Sequence, residues 1–325
     1  MFNAGSLLDS INVYLAENLA QSIVAALLVL PLLLWVVKSP SARIRFLLVP
    51  LALPVVFPPV YYLLVPSRQE LPVIPLDRIL GLKQGLSFLS QWPDFTAALA
   101  LAFGLATAYF LARGMLAAAA VIYLPRRYPK VDQVHEIRIE RMLDRLVARR
   151  RMTRPALLQG PWPNLTCCSF GFRRPYLLLS RGLLEELDDE HLEGVVVHEM
   201  AHFLRRDQYL NLALLALRSF FFFNPVVQLL CRAIQEEEEL ACDALAVRLG
   251  VLPRTYAESL VKVWWSGPGP ATRWEPATTG FLNTRSAVRR RVAAVLDRGG
   301  TDGPGHNRLL LALTSCLLIL LFFVC

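Results

Sequence analysis

Four apolar runs limit what this chain can fold into more than any other feature of it. Leu19 to Val37, Phe46 to Val65, Phe95 to Leu124 and Leu309 to Val324 carry one charged residue between them, Arg113. A helix of about 20 apolar residues crosses a bilayer. With 55% hydrophobic residues and a mean hydropathy of +0.43, the 325-residue chain reads as an integral membrane protein. The expected fold is a mainly α membrane protein with four transmembrane helices, at about 19–37, 46–65, 95–124 and 308–325. Pro50, Pro54, Pro58 and Pro59 predict a break or bend in the second. Arg113 is expected to snorkel towards one face. Residues 1–18 hold Asp9 and Glu17 but no basic residue, unlike the positive start of a cleavable signal peptide.

Basic residues set the expected orientation. Lys38, Arg43 and Arg45 follow the first run, and Arg126, Arg127 and Lys130 follow the third, whereas the amino terminus and the 66–94 loop have no such excess. The positive-inside rule then places the amino terminus outside and residues 125–307 in the cytoplasm, at the inner (plasma) membrane. The organisation read is a 1–124 membrane region, a 125–307 cytoplasmic α+β domain and the 308–325 span. The net charge of +8 invites a nucleic-acid reading. Its basic stretch Val134 to Arg151 instead repeats Ile139, Leu143, Leu146 and Val147 at helical spacing beside a span. Anionic lipid or a solvated face is the expectation there, and no direct nucleic-acid binding. The cysteines (Cys167, Cys168, Cys231, Cys242, Cys316, Cys325) form no CxxC framework and read as reduced.

Within the soluble domain, Leu165–Phe172 and Tyr176–Leu179 flank Arg173-Arg174-Pro175 and predict a hairpin. Asp188 or Asp189 can cap a helix running to about Leu204. A further helix spans Asp207–Phe223, and a long one runs from Pro225 to Gly250, a natural C-cap.

The capped helix carries His198-Glu199-Met200-Ala201-His202. Residues i and i+4 lie on one helix face, so His198 and His202 can offer two imidazole nitrogens to one metal ion. Glu199 stands where a carboxylate can take a proton without ligating. The apolar neighbours Leu192, Val195, Val196, Val197 and Phe203 argue against a merely solvated polar face, because unpartnered His and Glu there would be costly. His135, His191 and His306 lie outside the motif and read as ordinary polar residues. A catalytic Zn²⁺ needs a third protein ligand. Glu236 to Glu239 by themselves read as a solvated acidic face. Glu239 shares a side with Asp243, one turn on, which can orient a ligand histidine through its free ring N–H. Glu237 is a rival, because it falls on the apolar stripe of Leu230, Ile234, Ala241 and Leu245. Cys242 lies close by, but motifs of this class use His and carboxylate.

VVVHEMAHFLRRDQYLN, FFFFNP and EEEELACDALAV together resemble the BlaR/MecR family of membrane zinc metallopeptidases, and more distantly the HtpX-type and prenyl-protein (CAAX) proteases. CSFGFRRPYLLLS is similar to the family's strand hairpin, with Ser180 in place of a frequent proline. Thr284 to Leu296 is similar to its arginine-containing closing helix. The resemblance implies a zincin-like domain with His198, His202 and Glu239 as zinc ligands, Glu199 as catalytic base and Asp243 behind a histidine. It implies an endopeptidase acting on itself or on a protein substrate such as a winged-helix transcriptional repressor. An HtpX-like quality-control protease is the alternative, and a non-enzymatic scaffold or transporter with a structural metal is a third reading. The β-lactam sensors of that family carry a penicillin-binding domain after the last span. This sequence has none there, so a role as a β-lactam receptor is not expected.

Overall fold

A computed structural model describes residues 18–19, 21–64, 93–150, 152–172, 174–266, 284–297 and 311–316. The chain divides into two compact units, one formed by 1–112, 217–234 and 302–325, the other by 113–216 and 235–301.

The first unit contains α1 (Gln21–Val36), which ends in a π-turn at Leu32–Val36, α2 (Pro40–Leu64) and the start of α3 (Pro93–Tyr123). The prolines of the second apolar run do not break it: Pro40–Leu64 is a single helix. Among the described residues, Leu101–Ala119 is the one stretch long and apolar enough to cross a membrane, while Gln21–Val36 is apolar but shorter. The expected 66–94 loop falls on undescribed residues except for its last two, Pro93 and Asp94, which open α3. Most of the fourth run also lies outside the described residues, which show helix at 311–316. Polar groups in this unit pair with one another. Asn224 Nδ2 donates to Asn18 Oδ1 and Ser22 Oγ at 2.8 and 2.9 Å, and Phe110 stacks on Phe222.

The second unit holds α4 (Gln133–Arg150), three short strands and the helices that follow. Ile139, Leu143 and Leu146 are buried on α4, as their spacing predicts. Arg138 departs from the lipid-facing expectation. Its guanidinium donates to Asp189 Oδ1 and to the Leu184 and Leu187 carbonyls, tying α4 to the helices beside it. Strands β1 (Ala156–Gly160), β2 (Cys167–Phe170) and β3 (Tyr176–Ser180) form a sheet in the order β1-β3-β2. The β2–β3 pair is the predicted antiparallel hairpin, and β1 adds a parallel partner to β3. Central β3 buries Leu177, Leu178 and Leu179, consistent with apolar packing on both faces. Ser180 ends it and caps the short α5 (Arg181–Glu186), its side chain accepting from Leu183 N–H.

Asp188 then caps α6 (Asp189–Arg205) by accepting from His191 N–H. Arg206 closes α6 in the left-handed conformation, φ 63°. From there the chain re-enters helix as α7 (Asp207–Phe220), shorter than expected because residues 221–223 form a turn. Asn224 Oδ1 accepts from Val226 and Val227 N–H and so starts α8 (Pro225–Arg248). Gly250, φ 112°, ends it within two residues of the expected point. Next come α9 (Pro253–Trp265) and α10 (Arg285–Leu296), the latter capped by Thr284. A continuous core of Leu177, Leu179, Leu192, Val196, Met200 and Tyr256 holds the sheet, α6 and α9 together.

Candidate metal centre

Two helices bring the motif residues together. On α6, His198 and His202 are one turn apart and their rings meet edge to face at 4.9 Å. On α8, Glu239 reaches both: its Oε2 lies 3.5 Å from His198 Nε2 and its Oε1 lies 3.6 Å from His202 Nε2. Tetrahedral zinc with bonds of about 2.0–2.1 Å places its ligand atoms about 3.3 Å apart. The donor atoms of His198, His202 and Glu239 all lie within 4.8 Å of one another and fit such an ion. Glu237 goes elsewhere, accepting from Arg290 Nη2 at 2.6 Å.

Each imidazole is also held from behind. His198 Nδ1 is 3.1 Å from Asp243 Oδ1 and 2.8 Å from Tyr256 Oη. His202 Nδ1 is 3.0 Å from Asp207 Oδ2 and 3.3 Å from Cys242 Sγ. A proton on Nδ1 facing a carboxylate leaves the Nε2 lone pair on the Glu239 side, the arrangement a metal requires of histidine. Arg291 Nη2 also lies 3.3 Å from His198 Nε2 there. Cys242 therefore stands on the far side of the His202 ring, where its thiol donates to Asp207.

Arg291, on α10, balances the acidic groups. It donates through Nε to Asp243 Oδ2 at 2.8 Å and through Nη2 to Asp243 Oδ1 at 2.7 Å, and its Nη1 lies 2.8 Å from Glu239 Oε2. Burial would raise the Glu239 carboxyl, but the Arg291 guanidinium and the imidazoles outweigh it and hold it down at about 2. Burial works against Asp243 in the same way, and Arg291 again wins, lowering it. Burial opposes charge on His202, yet Cys242, Asp207 and Glu239 raise it well above the usual range. Glu238, buried beside Asp207, is pushed up to about 8 by desolvation and by that neighbouring charge. Glu239 and Asp243 therefore stay ionised beside the imidazoles.

Glu199 sits next to His198 on α6 and faces β2, where Ser169 N–H donates to its Oε2 at 2.9 Å. The acidic run is not the solvated face its sequence suggests. Helix geometry turns each residue by about 100°: Glu237 is buried against Arg290 and Glu238 is buried beside Asp207, while Glu236, also paired with Arg290, is half-buried. Three contributors escape the sequence reading. Asp207 lies five residues beyond His202, a spacing that helix periodicity does not bring to the same face. Tyr256 belongs to α9, a segment with no motif, and Arg291 lies in a helix of several arginines. Among the other histidines, His191 joins Asp188 and Lys262, while His306 lies outside the described residues. No disulfide joins the described cysteines.

The family pattern described as "BlaR1 peptidase M56" matches residues 17–295. The chain is 26% identical over 148 residues to the "Regulatory protein BlaR1" of Bacillus licheniformis, covering 45% of this chain and 23% of that protein. To the "Methicillin resistance mecR1 protein" of Staphylococcus aureus it is 22% identical over 156 residues, covering 47% of this chain and 26% of the relative. A "Protease HtpX homolog" of Aquifex aeolicus is 34% identical over 82 residues, covering 25% of this chain and 26% of that one. The chain spans about a quarter of the length of these relatives. With a pattern that runs from the first apolar segment through the helix bearing Arg291, the chain belongs to the BlaR1 peptidase M56 family.

Proposed function

We propose that this peptidase is a zinc-dependent endopeptidase of a multi-pass membrane protein, cutting peptide bonds on the cytoplasmic side. The observation that carries the proposal is the convergence of His198 Nε2 and His202 Nε2 on the two oxygens of Glu239. These three residues would hold the zinc. Bound there, it supplies Lewis acidity, lowering the pKa of water towards neutrality and polarising the scissile carbonyl. Glu199 takes the proton during attack and delivers it to the leaving nitrogen. The Ser169 N–H on Oε2 orients that carboxylate and leaves Oε1 for the transfer. Asp243 and Asp207 hold the imidazoles with Nε2 directed at Glu239.

Membership of the family, with relatives named as a regulatory protein and as a methicillin resistance protein, supports a role in signal transduction. Its substrate would then be the chain itself or a transcriptional repressor. Four spans, at about 19–37, 46–65, 95–124 and 308–325, with the amino terminus outside, complete this reading. Similarity to HtpX homologues supports a second one, quality control of membrane proteins. Proteomic identification of cleaved proteins separates them: few regulators for the first, many damaged membrane proteins for the second.

The central test is Glu199→Gln in the purified full-length protein. Peptide cleavage should fall by about 10²–10⁴-fold while one zinc per chain remains bound. Cleavage at the parental rate would overturn the assignment of the base.

A further inference from the structure

Among the described residues Tyr256 is the largest fully buried side chain, and its neutral hydroxyl touches both His198 and Asp243. The carboxylate it touches is occupied by Arg291 at both oxygens, so Asp243 is an ionised acceptor with no proton to give. The single hydroxyl proton of Tyr256 therefore goes to Asp243 Oδ1. This turns an oxygen lone pair towards His198 Nδ1, 2.8 Å away, and Nδ1 must then be the donor. The chain of hydrogen bonds runs one way, from His198 Nδ1–H to the tyrosine oxygen and from its O–H to the carboxylate. His198 Nδ1 also lies 3.1 Å from the same Asp243 oxygen, but the tyrosine oxygen, at 2.8 Å, is its nearer acceptor. His202 meets its carboxylate at 3.0 Å, with Asp207 supplied from the next helix. The fold makes space for the tyrosine ring. At Gly194, one turn before His198 on α6, a Cβ would lie 3.0 Å from Tyr256 Cδ2.

We propose that Tyr256 is a positioning residue for the metal centre, relaying Asp243 to His198 so that the imidazole keeps its proton on Nδ1 and its lone pair on Nε2. This deepens the proposed function and rests on His198 being a zinc ligand. The hydroxyl makes the difference, since a phenylalanine would fill the same space and pack the same core.

The experiment measures Zn²⁺ affinity of the full-length protein in detergent by competition with a chromophoric chelator, and the visible spectrum of the Co²⁺-substituted protein. Tyr256→Phe should weaken zinc about 10–100-fold and shift the cobalt bands, with the circular dichroism of the metal-free protein unchanged. Combined with Asp243→Asn, it should add little to the loss caused by Asp243→Asn alone, because both act along one chain of bonds. Parental affinity and spectrum in Tyr256→Phe would overturn the relay, as would losses that multiply fully in the double variant. Should Tyr256→Phe not fold, Gly194→Ala displaces the ring by tenths of an ångström; it should weaken zinc several-fold, and parental affinity there would also refute the relay. If the parental protein bound no zinc, the metal-centre reading itself would fail. A parental protein that binds zinc beside an equally tight Tyr256→Phe sinks only the relay.

Discussion

The two imidazoles present the same ring atom to the same carboxylate, yet they are supported by opposite means. Behind His202 the support is mostly local: Asp207 follows five residues later, and Arg205 Nε donates to it at 3.2 Å. Behind His198 it is remote. Tyr256 lies 58 residues away, and Asp243, on another helix, is held in turn by Arg291 from 48 residues further on, so these groups owe their places to tertiary packing. The His202 half is thus built mostly into one helical turn and the reversal after it, with Cys242 of α8 added, whereas the His198 half exists only when α6, α8, α9 and α10 are assembled. Changes that loosen packing should act first on the His198 half.

The largest test of this contrast compares Asp243→Asn with Asp207→Asn. Each should weaken zinc binding about 10–100-fold. Asp243→Asn should also destabilise the fold by roughly 3–5 kcal/mol, because it strips the buried Arg291 of its bidentate partner. Asp207→Asn should cost clearly less in chemical denaturation, and an equal or larger cost would erase the distinction between the halves. A second test uses Glu238, on the His202 side, in the metal-free protein. Its carboxyl moves from 4.5 in the unfolded chain to about 8 in the fold. Across that window the folded state keeps a proton that the unfolded state releases, so stability falls as pH rises from about 4.5 to 8. Glu238→Gln should remove the slope and gain on the order of 1–3 kcal/mol over the parental protein at pH 8. Parallel pH profiles would show that Glu238 contributes none of it. The smallest effect concerns the reversal. Arg206 holds φ 63° without being glycine, and Arg206→Gly should raise stability by a few tenths to about 1 kcal/mol. Zinc affinity should stay unchanged, since Asp207 keeps its place; a drop would mean that the arginine side chain itself supports His202.

These halves also differ in how far sequence exposes them. The pairs His198/His202 and Glu239/Asp243 follow directly from helical spacing, and the cap falls on Asp188, one of the two aspartates expected there. Choosing Glu239 over Glu237 needed the family resemblance, because the apolar stripe of α8 favours Glu237 and nothing local betrays its ion pair with Arg290. Asp207 is close in sequence but hidden, since its approach depends on a left-handed arginine that no propensity suggests. Tyr256 and Arg291 are invisible for a different reason: periodicity describes one element at a time, and their roles come from pairings between elements. The parallel β1–β3 pairing is missed on the same grounds. Apolar length marks α3 well, at Pro93–Tyr123 against an expected 95–124. Proline count misleads at α2, where helix persists through all four.

Glu239 and Asp243 share the same four-residue spacing on α8 that separates the two histidines on α6. Inserting or deleting a single residue within α8 ahead of Glu239 would swing both acids away together, by about 100°. A change at that point leaves no register in which one acid stays and the other leaves, and one between the two acids would part them. Lineages that preserve the chemistry should therefore tolerate length changes in the connections around α8 and refuse them inside it.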